Sequence, residues 1–311
     1  MSKFPRERPG ETLHPGAEPI LRELGVWESI VASKPLRHTG HWVSWGGSRH
    51  FAPFGKDERG EWLGLQVWRA DFDQMLLKQA VALGVRVLQP YRANGLLVEQ
   101  GRVVGVRSGR DRLRARFTVD AAGGRHWLAS QLGLEVNLLS PKLTAYYGYG
   151  EGQCDAQHNL PCIAGSGTGW TWTARVRPGL YQWTRLTFDP QIREGAPPAE
   201  FARLNPRGKV RGSDVTWRVI KEAAGAGYFL VGDAAAVLDP TASHGVLKAL
   251  MTGIMVAQAV GRIAFDGETE DQVVDAYRRW IAAWFQFDFE RLSDLYAQLR
   301  PEATRVPDLI N

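Results

Sequence analysis

An acidic residue follows a short apolar run in the segment Tyr228–Gly253, which reads YFLVGDAAAVLDPTASHGVLKALMTG. The apolar run predicts a buried strand that carries Asp233 into a loop of small residues, where a ligand can approach the backbone closely. A carboxylate there can accept hydrogen bonds from two sugar hydroxyls, and a helix starting near Gly245 directs free N–H groups at an electron-rich group. The pattern indicates a flat, phosphate-bearing ligand, the alternative being a ligand-free helix start capped by Asp239 or Ser243.

Two further stretches combine acids, glycines and a following helix. FTVDAAGGRHWLASQLGL places Asp120 and Gly123 between a strand and a helix. That signal is weak alone, because such turns are common in α/β proteins. FPRERPGETLHPGAEPILRELGV is a rigid, proline-containing loop that carries Glu11 into a helix. Its alternative interpretation is a solvated surface loop.

The chain contains 12 tryptophans, several of them in WVSW, EWLGLQVW and GWTWTARV. Tryptophans two residues apart on a strand share one face of a sheet, as Trp170 and Trp172 would. We expect these two and Trp42 to take part either in ordinary core packing or in an aromatic-lined pocket. Such a pocket would suit a flat ligand or an aromatic side chain.

The spacing of the remaining candidates argues against other chemistries. His38 and His41 are three residues apart in a strand-like stretch without a nearby acid, which disfavours a metal site. The glycine that should precede a nucleophilic serine by two residues is missing before Ser243, which disfavours a hydrolase.

Composition limits the classes of partner. The 311 residues suffice for two lobes, and the formal charge of +5 is spread along the chain. This favours anionic small molecules or an acidic partner over nucleic acid. Cys154 and Cys162 cannot form a disulfide framework. Because neither a membrane-length apolar run nor a signal-peptide core is apparent, we expect a cytoplasmic protein without a membrane span.

Periodicity predicts a mixed α/β fold. Strand–Asp–Gly–helix patterns on both sides of an all-strand middle predict a discontinuous lobe formed by residues 1–35, 85–135 and 225–265. A Trp-rich antiparallel lobe for the substrate would comprise 36–84 and 141–220, followed by a helical segment over 266–311. The finer prediction places helices and strands in the following ranges: helices over 15–32, 70–84, 198–204, 246–263 and 270–299, and strands over 40–68 and in VRVLQP near residue 87.

The order of these motifs resembles the FAD-dependent monooxygenase superfamily, in the branch of flavin-dependent halogenases and geranylgeranyl reductases. The matching stretches are GETLHP with LGV, WRADFDQML from Trp68 to Leu76, VDAAG, and VGDAA with DP and SHGV. They cover most of the chain. The resemblance implies a fold with an FAD/NAD(P)-binding-like lobe, a substrate lobe with an antiparallel sheet, and C-terminal helices.

The resemblance also implies roles for individual residues. Asp233 would contact the ribityl chain or the pyrophosphate region of FAD, and His244 would lie beside the flavin with the substrate residues. Lys248 is either a solvated lysine or a cation that stabilises an anionic reduced flavin. The other implied positions are the isoalloxazine edge (Pro240, Gly245 and Val246), the surroundings of the cofactor (Glu11 and Arg69) and the floor beneath it (Asp120 and Gly123).

Two departures from the family pattern affect the expected activity. Halogenases carry a lysine after the Gly-Glu-x-Leu helix, whereas the aligned residue here is Arg37 and Lys34 is out of register. Arginine stays protonated and is a poor substitute for a lysine nucleophile. The Ile-Pro that follows the family's Trp-x-Trp segment is Ala174-Arg175 here. Hydroxylation is therefore expected ahead of halogenation.

A further departure concerns the start of the chain, since the Gly-x-Gly-x-x-Gly segment that holds the pyrophosphate is not found. GSGTGW at Gly165–Trp170 precedes a strand and does not fit that motif. We expect either that the true start lies upstream of Met1 or that the chain is an FAD-deficient, partner-dependent or non-catalytic remnant. Expressed as these 311 residues, it is expected to purify colourless.

The leading expectation is an FAD-dependent monooxygenase that hydroxylates an electron-rich ring. The substrate would be an aromatic small molecule or an aromatic side chain, including peptidyl Trp or Tyr, with electrons from a flavin-reducing partner or NAD(P)H. The LDPTASHGVLKAL segment especially resembles members that modify Trp residues of partner proteins. Halogenation is the further alternative.

Overall fold

The computed structural model describes residues 8–154, 160–188, 195–242 and 244–299. Within them the α-helices are α1 (Ala17–Glu23), α2 (Trp27–Ala32), α3 (Arg69–Ala82), α4 (Trp127–Leu132), α5 (Gly245–Phe265) and α6 (Glu270–Leu299). Short 3₁₀ turns occur at Ala199–Phe201, Gly232–Ala234 and Pro240–Ala242.

The strands up to the middle of the chain are β1 (Thr12–Leu13), β2 (Leu36–His38), β3 (Gly40–Trp45), β4 (Ser48–Pro53), β5 (Lys56–Asp57), β6 (Gly60–Glu61), β7 (Gly64–Gln66), β8 (Gly95–Glu99), β9 (Arg102–Ser108), β10 (Asp111–Arg114) and β11 (Thr118–Asp120). Those that follow are β12 (Val136–Leu138), β13 (Thr144–Glu151), β14 (Cys162–Ser166), β15 (Gly169–Arg177), β16 (Leu180–Thr187), β17 (Asn205–Asp214), β18 (Arg218–Ile220), β19 (Ala224–Gly225), β20 (Tyr228–Leu230) and β21 (Ala236–Val237).

A seven-stranded sheet dominates the structure, in the order β17-β13-β16-β15-β14-β3-β4. All its neighbours are antiparallel except β14 and β3, which run parallel. One face packs against α6, where Trp45, Trp170, Leu186 and Leu292 are buried together. Because side chains alternate along a strand, this face carries every second residue of β3, β15 and β16.

The two strand–Asp–Gly motifs meet in a second sheet. Strand β11 pairs in parallel with β20, and Asp120 stands opposite Leu230. Strand β19 completes this sheet, with β11 at its edge and Val119 45% exposed. The core beneath it is formed by residues of β20 with α4, α5 and α6. Both acidic residues therefore follow neighbouring strands of one small sheet.

A third sheet, β1-β7-β2, crosses the predicted boundary between the lobes. It pairs Thr12 with Gln66, and Leu36 with the same glutamine from the other side. Its core joins Leu13 and Leu21 to Phe72 of α3 and includes Val246 at the start of α5. Strand pairing thus joins residues on both sides of the lobe boundary expected at residue 35, and the division into lobes stays a prediction.

The predicted fold class is confirmed: a mixed α/β chain with a large sheet and C-terminal helices. The helix expected at 15–32 is split into α1 and α2 around Gly25, whose φ is +70°. The strand expected in VRVLQP does not form, and the helix expected at 198–204 is only a 3₁₀ turn. Residues 300–311 of the expected C-terminal segment lie outside the described residues.

Helix α5 has the length and apolar composition of a membrane span, although only 28% of that stretch is buried in the protein. This corrects the expectation that no apolar run reaches that length. Core helices satisfy the same criterion, and one face of α5 carries Thr252, Val256 and Ile263 into the protein interior.

Candidate functional site

The carboxylate of Asp120 is occupied by the backbone. One oxygen accepts a hydrogen bond from the Ala122 N–H at 2.7 Å and the other from the Leu128 N–H at 2.8 Å. Asp120 is buried and holds the start of α4, while Gly123 adopts a φ of +85° in the turn between them. Asp120 thus fixes the conformation of the loop between β11 and α4. Its predicted position beneath the cofactor stays a prediction.

Asp233 is in the opposite situation. It is accessible to solvent in a recess, and none of the described residues donates a hydrogen bond to its carboxylate. Burial by the recess raises its pKa, while the cations Lys248, Arg218 and Arg8 lower it. A carboxylate that is exposed yet surrounded by cations can accept hydrogen bonds from a ligand.

An arginine not anticipated from the sequence joins the loops of the two acids. Arg218 Nε donates to His126 Nε2 at 2.8 Å, and its Nη2 donates to the Gly124 carbonyl at 2.8 Å. His126 in turn donates from Nδ1 to the Ala234 carbonyl at 2.9 Å. These contacts fix the loop after β11 against the loop after β20. The segment around Arg218 carries no sequence motif that could have revealed this.

The start of α5 lies open. Its N-cap, His244, makes no side-chain capping bond, and a Cβ placed on Gly245 would meet nothing within 4 Å. The first backbone N–H groups of a helix lack partners within the helix and carry partial positive charge. Pro240, just before this start, is exposed. The position of these residues suits a flat, electron-rich group.

The loop that enters α5 is anchored by a buried carboxylate. Asp239 accepts hydrogen bonds from Trp217 Nε1 at 2.6 Å, from the Tyr296 hydroxyl at 2.8 Å and from the Thr241 N–H at 2.9 Å. The Tyr296 ring stacks on the Trp217 ring, and the Tyr296 hydroxyl accepts a hydrogen bond from Trp170 Nε1 at 2.8 Å. Helix α6 therefore holds the segment before α5.

Glu11 is the most unusual acid of the structure. It is 2% exposed, and its Oε1 accepts a hydrogen bond from the Tyr149 hydroxyl at 2.6 Å, whereas its buried Oε2 has no partner among the described residues. Burial raises its pKa to about 7, against smaller lowering effects of the Tyr149 hydrogen bond and the charge of Arg69. Glu11 can therefore gain and lose a proton near neutral pH.

Arg69 holds the Glu11 loop without contacting the Glu11 carboxylate. Its guanidinium donates to both carboxylate oxygens of Asp73 and, from Nη1, to the Pro9 carbonyl at 3.0 Å. A Cβ on Gly10 would lie 2.9 Å from Arg69 Nη1 and 3.7 Å from Val246 Cγ2. The structure thus brings the Glu11 loop, Arg69 and Val246 together, while their contact with FAD stays a prediction.

A row of rings leads from the start of α5 to the large sheet. His244 contacts His14 edge-on with ring centroids 5.3 Å apart, and His14 contacts Phe54 at 5.4 Å. The row continues from Phe54 to His41 at 6.0 Å and from His41 to Trp172 at 5.8 Å. We call these five residues the ring row.

The histidines of the ring row are neutral at pH 7. Burial lowers the pKa of His14 to about 4 and also lowers the pKa of His41 and His244. Charge repulsion from neighbouring histidines adds to the effect at His14. Because the Gly16 N–H donates to His14 Nδ1 at 3.0 Å, the neutral ring carries its proton on Nε2. The row offers an aromatic wall with a fixed N–H donor.

Of the three predicted substrate tryptophans, Trp172 alone belongs to the ring row. Trp42 pairs with Cys162, which pairs with Thr173, so Trp42 lies on the opposite face of the sheet from Trp172. Trp170 is on the face of Trp172 but is 2% exposed in the core beside α6. The structure therefore places Trp42 and Trp170 outside the ring row, and their role as substrate residues stays a prediction.

Arg37 points away from the ring row. It forms an ion pair with Glu18 at 2.9 Å and lies over the Trp27 ring on the outer side of β2. The adjacent His38 faces inward instead, donating from Nδ1 to the Gly40 carbonyl at 2.9 Å and contacting Phe54. The imidazole of His38 thus faces inward beside Arg37, the residue that aligns with the halogenase lysine.

A cofactor fit follows from these side chains. The free carboxylate of Asp233, the buried unpartnered oxygen of Glu11 and the open start of α5 suit the ribityl and ring portions of a flavin. Among the described residues no group of three or more His, Cys, Asp or Glu could hold a metal ion. A cavity of about 350 Å³ beside Gly225 and Arg278 lies at the start of α6 and away from these residues.

Comparison with known proteins agrees with this fit. No family model matches the chain. It is 28% identical over 89% of its length to the 1H-pyrrole-2-carbonyl-[peptidyl-carrier protein] brominase of Pseudoalteromonas luteoviolacea (strain 2ta16), of which it covers 74%. The myxobacterial chondrochloren halogenase CndH, a variant of FAD-dependent halogenases, superposes with a TM-score of 0.85 at 23% identity, covering 98% of this chain and 78% of CndH.

A hydroxylating protein also shares the fold. The peptidyl tryptophan dihydroxylase QhpG superposes with a TM-score of 0.71 at 17% identity, covering 97% of this chain and 70% of QhpG. The chain spans 59% of the flavin-dependent halogenase CmlS, whose structure is also similar.

Proposed function

From its kinship with the flavin-dependent halogenases of the FAD-dependent oxidoreductase superfamily, we propose that the chain belongs to an FAD-dependent enzyme that oxidatively modifies an aromatic ring. Halogenation is the first candidate, because the brominase aligns with most of the chain and with most of its own length. The expectation of hydroxylation rested on Arg37 and on Ala174-Arg175 in place of the family's Ile-Pro. Arg37 points away from the ring row and supplies no amine there, so hydroxylation is kept as the second candidate.

The observation that carries the proposal is Glu11. When bound, FAD would supply the oxidising equivalents through its reduction and reaction with oxygen. A carboxylic acid with a pKa of about 7 can donate a proton from Oε2 and accept one in return, while the Tyr149 hydroxyl holds Oε1 in place. Asp233 would accept hydrogen bonds from the cofactor. The Arg69–Asp73 pair would keep the Glu11 loop against α5.

The ring row supports an aromatic substrate. Neutral imidazoles and Trp172 provide edges and faces for a flat ring, and the Nε2–H of His14 is a donor of fixed orientation. We propose an aromatic small molecule or a carrier- or peptide-bound aromatic group as the substrate. A flavin-reducing partner or NAD(P)H would supply the electrons. We also propose a cytoplasmic location, in keeping with the free thiols of Cys154 and Cys162.

Hydroxylation is the second candidate. The residue aligned with the lysine that halogenases use is Arg37, which is paired with Glu18 and points away from the ring row. The fold shared with the tryptophan dihydroxylase also supports hydroxylation as a candidate. The two candidates share the cofactor and differ in the product.

The test supplies the polypeptide with FAD, NADH, a flavin reductase, bromide, and indole, pyrrole and phenol probes. Products are identified by mass spectrometry. A brominated probe supports halogenation, and a product heavier by one oxygen supports hydroxylation. Glu11→Gln should abolish either product, whereas Glu58→Gln, in an exposed turn, should not. No product with any probe, or equal product from Glu11→Gln, would contradict the proposal.

A further inference from the structure

Lys248 is buried, with 7% of its surface exposed, in the first turn of α5. One turn later, Thr252 accepts a hydrogen bond from the Gly232 N–H at 2.9 Å and donates to the Lys248 carbonyl at 2.8 Å. This face of α5 therefore packs directly on the turn that presents Asp233. A buried ammonium group at that place is expensive unless opposite charge accompanies it.

Helix α6 encloses the same ammonium group from the other side. Lys248 Nζ lies 5.4 Å from the ring centroid of Trp284 and 5.7 Å from that of Phe285. Asp288, which follows Trp284 by one helical turn and shares its face of α6, is only 5% exposed. The lysine is thus placed between a buried acid on α6 and the accessible acid of the cofactor loop.

We propose that Lys248 is a positioning residue of the cofactor site: its ammonium group, balanced by Asp288, keeps the Asp233 carboxylate ionised and ready to accept hydrogen bonds. The inference rests on the proposed FAD site and adds α6 to it. Through this contact, the C-terminal helix supports the ligand-binding acid without touching the ligand. The reacting atoms do not involve Lys248.

The charges around the two groups define the expected pH dependence. Burial raises the pKa of Asp233, and Lys248 is first among the charges that lower it; the remaining charges are Arg218, Arg8 and His126. Asp288 and Asp233 favour the charged form of Lys248 against its burial. His244, with Arg291 nearby, completes the set of titratable and charged groups in this region. Removing the lysine should therefore move the ionisation of Asp233 to higher pH.

The experiment measures FAD affinity by fluorescence quenching for Lys248→Met, Lys248→Arg and the exposed-site control Lys78→Met. Removing the nearby ammonium charge raises the pKa of Asp233, so Lys248→Met should bind FAD up to about tenfold more weakly at the lower of two assay pH values and should recover at the higher one. Lys248→Arg keeps the charge and should retain the affinity. Lys78→Met should match the unmodified chain.

A thermal melt of each variant separates this role from a purely structural one. Lys248→Met leaves the buried Asp288 without its partner charge and should lower the melting temperature, so the affinities are compared at a temperature at which every variant is folded. Unchanged affinity at both pH values, or an equal loss at both, would overturn the proposal. Asp233→Asn serves as the reference: if it leaves FAD affinity unchanged, the proposed cofactor site itself is wrong.

Discussion

Replacing Glu11 by Gln should change the pH dependence of stability. The folded-state pKa of about 7 lies above the ordinary 4.5 of a glutamate, so the folded protein binds more protons than the unfolded chain between these values. The resulting stabilisation is present at pH 5 and is lost as pH rises through 7. From the two pKa values, the loss for the unmodified chain between pH 5 and pH 8 is about 2.5 kcal/mol.

Glutamine has nearly the shape of glutamic acid and does not titrate, so Glu11→Gln should lack this contribution. The assay is urea unfolding of both proteins at the two pH values. Relative to the unmodified chain, the variant should gain about 2.5 kcal/mol on going from pH 5 to pH 8. Any constant cost of burying the amide cancels in this comparison. Glu58→Gln, at an exposed site, should show no such gain, and a pH-independent difference for Glu11→Gln would refute the reasoning.

Three further predictions follow from the same contacts. Tyr149→Phe removes the donor that lowers the pKa of Glu11, so in urea titrations the loss of stability with rising pH should extend to a higher pH and become larger. Tyr296→Phe removes one donor to the buried carboxylate of Asp239 and should cost about 1–3 kcal/mol by thermal or denaturant unfolding. His14→Leu should reduce acid sensitivity, because a neutral His14 with a pKa of about 4 contributes stability that is lost as pH falls below about 6.5.

Each of these has a contrary outcome. A Tyr149→Phe protein whose pH profile matches the unmodified one would show that the hydroxyl does not act on Glu11. Tyr91→Phe, at a partly exposed site, is the control for Tyr296→Phe, and equal small losses of stability for both would contradict the anchoring role of Tyr296. If His14→Leu unfolds at the same pH as the unmodified chain, the imidazole is not held neutral by its surroundings.

Local signals in the sequence identified the parts of the site that depend on neighbouring residues. The apolar run, acid and small residues around Asp233 predict a strand, a loop and a helix start, and the structure contains them. Glu11 was found through a motif, although its burial and unpartnered oxygen depend on Tyr149, which is far away in sequence. A motif identifies such a residue, and the tertiary structure determines its pKa.

The face of the sheet on which a strand side chain lies depends on the pairing register, and the sequence does not reveal that register for buried strands. Trp42 was expected with the substrate tryptophans and Arg37 was aligned with the halogenase lysine, yet both point away from the ring row, because a shift of one position along a strand reverses the face. The hydrogen bond from Arg218 to His126 and the contact of Lys248 with Trp284 of α6 join residues that are far apart in the chain. Such contacts leave no periodic or spacing signal for prediction.

The most direct test of the FAD site is a titration of the polypeptide with FAD, comparing the unmodified chain with Asp233→Asn and with Asp294→Asn at an exposed position of α6. Hydrogen bonds to a charged group contribute about 1.5–3 kcal/mol each, which corresponds to about 10- to 150-fold in affinity. We predict saturable FAD binding that Asp233→Asn weakens by at least about tenfold and Asp294→Asn leaves unchanged. Absent binding, or equal affinity for all three proteins, would contradict the assignment of this cleft to a flavin.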